Sequence, residues 1–293
     1  MKNFYKVAGI IAGIAFGIGL VCLMIGIACG TFGTIILGED GFRVKDDTKR
    51  WQYANVEETP FMDVDIQTRL AKIHIIESDT EEYKVSLDLT GSESDYIFTN
   101  ENGVLTIKDK APKNQFSINI FQGVKTTTDV IYISIPKDIQ LNNVTVKSDV
   151  GDIEMNISAG AKMVTIAADV GEIHIEKGEY EKLELSADVG DIELKNVNVT
   201  SKIKADANVG EINISGALAC DMDVNADVGS VSIETDYSKD MYRYQVSADM
   251  GEIEVFGKKY SGAENEVDGN DEGEYLMIVE ASVGSVEIES TAD

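Results

Sequence analysis

The chain has 293 residues, with 25 Lys plus Arg against 52 Asp plus Glu, a formal net charge of −27 and 43% hydrophobic residues. A chain this acidic repels a phosphate backbone, which excludes a nucleic-acid binder, and one this apolar is no disordered polyanion. Two of the basic residues, Lys2 and Lys6, and none of the acidic ones fall in the first 38 positions, so the acidity belongs entirely to residues 39–293.

From Val7 to Gly38 no residue is charged, and Ile, Gly, Ala, Leu, Phe, Val and Met dominate. A bilayer core needs roughly 20 apolar residues in a helix, so residues 1–38 read as a short head followed by one transmembrane helix. The rival reading is a cleaved signal peptide ending near Gly26-Ile27-Ala28; its apolar core is normally about 7 to 15 residues, shorter than this run. A lipid-modified Cys29 is disfavoured by Gly26, which stands where such signals carry a large aliphatic residue. Basic residues flank the span on both sides, with Arg43, Lys45, Lys49 and Arg50 beyond it. A six-residue head is easily retained, however, and long domains translocate largely regardless of charge. The expectation is a single-pass cell-membrane protein with a cytoplasmic N-terminus and an extracytoplasmic C-terminal domain. Gly9, Gly13 and Gly17 recur every fourth residue, a smooth helix face that permits a homodimer in the membrane; the plain alternative is that glycine is common in such helices.

Residues 39–60, charged and mixed, read as a juxtamembrane connector, and the folded domain is expected to run from Phe61 over residues 61–293. Its first segment places Val64, Ile66, Thr68, Leu70, Ile73 and Ile75 around Ala71 in a pattern that returns downstream; a weaker copy surrounds Gly103, with Tyr96, Phe98, Leu105 and Ile107. Val130 to Ile135, closed by Pro136, is an apolar strand.

From residue 144 to 293 the pattern is regular. The glycines are Gly151, Gly171, Gly190, Gly210, Gly229, Gly251 and Gly284, spaced 20, 19, 20, 19, 22 and 33 residues apart. Counting each glycine as zero, positions −7, −5, −1, +2 and +4 are apolar in nearly every repeat, and −3 is always Ser or Ala. Period-two alternation marks strands with one buried face, so each repeat reads as strand, bend, strand, with −1 and +2 both facing inward across the glycine. Units of this length cannot bury an apolar face alone and must stack. The predicted fold is all-β, a β-solenoid of roughly 20-residue repeats behind one transmembrane α-helix. Antiparallel hairpins turning at Gly-Asp and Gly-Glu are the alternative, since they also bring the inward columns together. Residues 257–274, rich in Gly, Glu, Asp and Asn, read as a mobile acidic loop between the last two coils.

The run VIYISIPKDIQLNNVTVKSDVGDIEM, followed by VxxxxGxIxI units behind an N-terminal apolar segment, resembles the adhesin-like proteins of bacterial envelopes, including the LiaG-like proteins of Gram-positive species. The resemblance covers about residues 61–293. It implies an exported β-helical surface domain with an adhesive or envelope-sensing role, and it brings no catalytic motif.

The outward columns hold the candidate chemistry. Position −2 carries Asp149, Asp169, Asp188, Asn208, Asp227, Asp249 and Ser282, and position +1 carries Asp152, Glu172, Asp191, Glu211, Ser230, Glu252 and Ser285. Carboxylates stacked about 4.8 Å apart repel one another, and Ca2+, which takes six to eight oxygens, would relieve that. Asp149, Asp152, Asp169, Glu172, Asp188 and Asp191 are the candidate ligands; the plain alternative is bend chemistry with solvated acids. No other cofactor is implied. Position +3 holds Glu154, His174 and Glu193, a polar ladder that falls short of a closed zinc sphere, and His74, in the first degenerate coil, reads as too far along the stack to join it. Cys220 has no thiol partner after the N-terminal segment and reads as a buried small residue. The sequence therefore points to a non-enzymatic adhesin or envelope-sensing scaffold that meets an envelope ligand or partner protein through an acidic surface. A carbohydrate-active β-helix enzyme, with a basic residue over clustered acids, and a scaffold polymerising end to end from an uncapped last coil are the alternatives.

Overall fold

The computed structural model describes residues 34–38, 41–45, 49–110, 116–119, 128–260 and 266–292. The expected transmembrane helix and its Gly9, Gly13 and Gly17 face fall outside the described residues, apart from Thr34–Gly38, which is a strand. No described helix is long and apolar enough to cross a membrane. The chain divides into two compact units. Among the described residues the smaller holds a three-stranded antiparallel sheet in which Thr34–Gly38 pairs with both Gly41–Lys45 and Phe116–Asn119.

The larger unit is the predicted stack. Leu141–Val150 pairs in parallel and in register with Ala161–Val170, which pairs with residues 182–189 and so on through 202–209 and Asp221–Val228, each residue meeting its counterpart one repeat away. A second ladder runs through Ile153–Asn156, residues 173–175 and 192–194, Ile212–Leu218 and Val231–Thr235. The register breaks again between Leu194 and Val197 and between Tyr180 and Lys182, so each turn carries three ladder segments. In-register parallel pairing excludes the hairpin alternative within the array. Columns −7, −5, −3, +2 and +4 are buried almost throughout, from Val144 to Ile288. The degenerate first coil is genuine: Val64, Ile66, Thr68 and Leu70 pair with Val144, Val146, Ser148 and Val150.

Four features depart from the sequence reading. The −1 column faces outward, not inward. Leu70, Val150, Val170, Val189, Val209, Val228, Val283 and Met250 are between 41% and 65% exposed. The cause lies in the backbone at the bend. Gly171 takes a φ of +143, and its N–H donates to the Val189 carbonyl of the next coil at 3.0 Å; the corner is fixed by these cross-coil bonds, and the last inward residue is the small one at −3.

The last two coils are stacked out of chain order. Asp221–Val228 pairs with Tyr275–Val283, and only then does Tyr275–Val283 pair with Tyr242–Met250. Val286–Ser290 likewise lies between Val231–Thr235 and Ile253–Val255. The final coil occupies the slot beside the Gly229 coil and displaces the Gly251 coil to the end.

Both ends are closed by antiparallel strands. At the far end Lys258–Tyr260 folds back on Ile253–Val255, and Glu266–Gly269 on Tyr242–Met250. The segment expected as a mobile loop, 257–274, is thus in part the cap, and the uncapped edge that end-to-end polymerisation needs is covered by short, charged strands. At the near end Tyr96–Glu101 folds back on Val104–Asp109, and Tyr83–Thr90 on Val130–Pro136. The unit around Gly103 is therefore a hairpin and not a coil. Asn102 and Gly103, at φ 55 and 77, form its two-residue turn, the mirror-image geometry that suits twisted strands; only its second strand joins the stack, Leu105 and Ile107 meeting Val64 and Ile66.

Part of the expected connector, 39–60, also belongs to structure: Arg50–Glu58 is a strand that pairs with Tyr83–Thr90. Trp51 stacks on Tyr96 at 5.6 Å and Tyr53 packs tilted against Phe98 at 4.8 Å, covering the near end with aromatic surface.

Near the far end, buried Tyr242 donates to the Leu218 carbonyl at 2.7 Å and lies 2.6 Å from the Thr235 hydroxyl. Tyr242→Phe leaves both partners buried and under-satisfied, an expected loss of about 1–3 kcal/mol in urea unfolding; a loss below about 0.3 kcal/mol would show that water replaces the phenol.

Candidate functional site

The bend places the acidic rows on either side of the exposed −1 column. The −2 acids Asp149, Asp169 and Asp188 are exposed, and in the +1 row Asp152 and Asp191 are half-buried while Glu172 is exposed. The +1 aspartates reach along the stack. Asp191 accepts the Glu211 backbone N–H at 2.7 Å and Asp152 accepts that of Glu172 at 3.3 Å. In the −2 row Asn208 donates to Asp188 at 3.1 Å. Lys72, at the +1 position of the first coil, donates to Asp152 at 2.5 Å and holds that carboxyl below its ordinary value. Part of the expected repulsion is thereby relieved by amides and by one ammonium group. Among the described residues no three His, Cys, Asp or Glu side chains are grouped as a metal ion would need, so the six calcium candidates stand in rows and not in a shell.

Row +3 is richer than the sequence indicated. His74 is not remote: the Lys72–Ser78 strand pairs directly with Ile153–Asn156, because the intervening segment 79–140 builds the near end of the stack and inserts no coil between them. The Tyr132 ring stacks on His74 at 4.5 Å, His74 Nδ1 lies 2.8 Å from Glu154 Oε2, Glu154 is paired with His174, and His174 Nδ1 lies 2.7 Å from Glu193 Oε2. The result alternates aromatic, base and acid along one outward line. Lys195 and then His174 hold the Glu193 carboxyl below its usual range. Hydrogen-bonding imidazoles and carboxylates alternate here, so the polar groups of the row partner one another across the strands.

Cys220 is fully buried, and burial, with the nearby Asp221 charge, pushes its thiol from 9.0 up to about 12. It is held as the neutral thiol, which makes it a packing group. A shallow depression of about 190 Å3 is lined by Lys84, Ser86, Tyr132 and Ser134. Its cation, Lys84, is ion-paired with Glu82 at 2.6 Å.

The Toastrack DUF4097 family profile matches residues 61–287, the capped stack almost from end to end. The chain belongs to the Toastrack DUF4097 family. Solved structures similar to this Toastrack domain include a candidate adhesin from Bacteroides fragilis, 15% identical over 82% of this chain and 97% of that one, with a TM-score of 0.43. A candidate cell adhesion protein from Clostridium sporogenes is 16% identical over 83% and 100%, with a TM-score of 0.39. A candidate adhesin from Parabacteroides distasonis is 10% identical over 82% and 97%, with a TM-score of 0.43. Among curated proteins none matches this chain.

Proposed function

We propose that this protein is a non-enzymatic envelope module, an adhesin or sensing scaffold. It is anchored in the cell membrane by residues 7–38 and presents the acidic flank of an extracytoplasmic β-solenoid to an envelope ligand or partner protein. The observation that carries this reading is the pair of acidic rows held at fixed spacing along a stack whose two ends are closed. Closed ends leave the sides as the working surface, and a ladder paired in register gives a ligand a rigid face to meet. The apolar run with its short basic head supports the anchor and its orientation.

Location is tested by cysteine accessibility. Native Cys220 is buried, so the probe is Ser282→Cys, at an exposed corner, in a chain with Cys22 and Cys29 replaced by serine. A membrane-impermeant maleimide is expected to label this position in intact cells; protection until lysis would place the domain inside and overturn the proposal.

A further inference from the structure

Among the described residues, eight of the thirteen exposed large hydrophobics fall on one line, the −1 column. Single exposed aliphatics are ordinary on a protein surface, whereas a contiguous row marks a contact site. An outward strand position can be filled at no structural cost by Thr, which keeps the β-branch and satisfies water. Six of the eight positions nevertheless hold Val. In the Gly151, Gly171 and Gly190 coils the row is bordered on one side by the −2 aspartates and on the other by the +1 acids; Asn208, Ser230, Ser282 and Ser285 interrupt the border further on, and the first coil carries Arg69 and Lys72 there.

We infer that this stripe is the docking surface for a cationic amphipathic helix of a partner protein, its aliphatic face on the −1 column and its Lys or Arg side chains over the two acidic rows. Charge decides against the other occupants. A second copy would set aspartate rows against aspartate rows on a chain of net charge −27, and an anionic lipid surface meets the same repulsion. Strand addition is closed off because the stripe runs across the strands, and the backbone at the corner is already bonded between coils, as in Gly190 to Val209 and Gly210 to Val228, both at 2.9 Å.

A helix fits by its period. Coils rise about 4.8 Å and helical turns about 5.4 Å, so a helix laid along the column sets about one turn on each coil, slipping by only about 0.6 Å per coil. Eight coils at about 4.8 Å span about 34 Å, the length of about 22 helical residues. The inference names the partner of the surface proposed above. It rests on that surface being a binding face and not on which side of the membrane it stands.

The test uses the full chain in phosphatidylcholine nanodiscs and a fluorescent 22-residue Leu/Lys peptide patterned as an amphipathic helix, with a scrambled peptide of the same composition and empty nanodiscs as blanks. Anisotropy titration is expected to show saturable binding that weakens at least tenfold for the scramble. It should weaken as much for the Val170→Thr/Val189→Thr/Val209→Thr chain and for the Asp169→Asn/Asp188→Asn/Asp227→Asn chain, each with an unchanged melting midpoint. Equal binding by the scramble or by the threonine chain would reduce the site to charge alone and overturn the inference. Absence of binding together with self-association would assign the stripe to a second copy and would equally overturn it. The labelling result in cells is independent of all these outcomes.

Discussion

Gly210→Ala is expected to remove about 3–5 kcal/mol of stability, enough to unfold a domain of ordinary stability. Gly210 sits at φ +152, and a Cβ there would lie 2.0 Å from the Gly190 carbonyl oxygen. That oxygen is backbone in the neighbouring coil and cannot rotate away. Relief requires the two coils to part, which breaks the paired bonds on either side. Gly103→Ala is the comparison. Its φ is +77, but nothing lies within 4 Å of the added carbon, so only the local conformational cost of about 1–2 kcal/mol is expected. Urea unfolding of both variants measures the difference. Equal losses would mean that conformation, and not the close approach of neighbouring coils, selects glycine at the bend. The contact begins at the first coil, where a Cβ on Gly151 would lie 2.0 Å from the Ala71 carbonyl oxygen.

Alkaline pH is expected to destabilise the domain progressively from about pH 9 upward. Burial pushes the Cys220 thiol from 9.0 up to about 12, and burial likewise pushes the Tyr242 phenol from 10.0 up to about 12. Tyr180 is raised for the same reason. With folded pKa values above the unfolded ones, the folded chain retains protons that the unfolded chain gives up. The associated stability is complete below pH 9 and is lost as pH rises from about 9 to 12. For Cys220 alone the loss reaches about 2 kcal/mol by pH 10.5. Cys220→Ala carries a constant packing cost but should flatten the stability profile between pH 9 and 12. Parallel profiles for the two proteins would show that the thiol ionises without unfolding.

The repeat itself is readable from the sequence because five of its columns are dictated by burial, and burial is what apolar periodicity records. The −1 column misleads for the complementary reason. Val170 and Val189 are as aliphatic as their buried neighbours, and only the backbone geometry at glycine turns them outward. Stacking order is illegible because the Gly251 and Gly284 coils carry the same inward columns, so either fits beside the Gly229 coil. The near cap does carry a local signal in Asn102-Gly103, a strong hairpin dipeptide, but its resemblance to a coil outweighs it. At the candidate site the acidic rows are visible as composition. The contact of His74 with Glu154 is not, since it depends on segment 79–140 building the near end and inserting no coil between them.

The transposed last coils bear on how the chain reaches this state. Coils up to Gly229 can zip together in the order in which they emerge from a ribosome or a translocation pore, each templated by the one before. The strands Asp221–Val228 and Val231–Thr235 then wait with open edges, because their permanent neighbours, Tyr275–Val283 and Val286–Ser290, emerge only after another coil has passed. Residues 242–255 arrive earlier, carry matching columns and would occupy the same place. Assembly of this end is therefore a competition between a local, early pairing and a distant, late one, and the finished molecule is reached only when the early suitor is dislodged or held off.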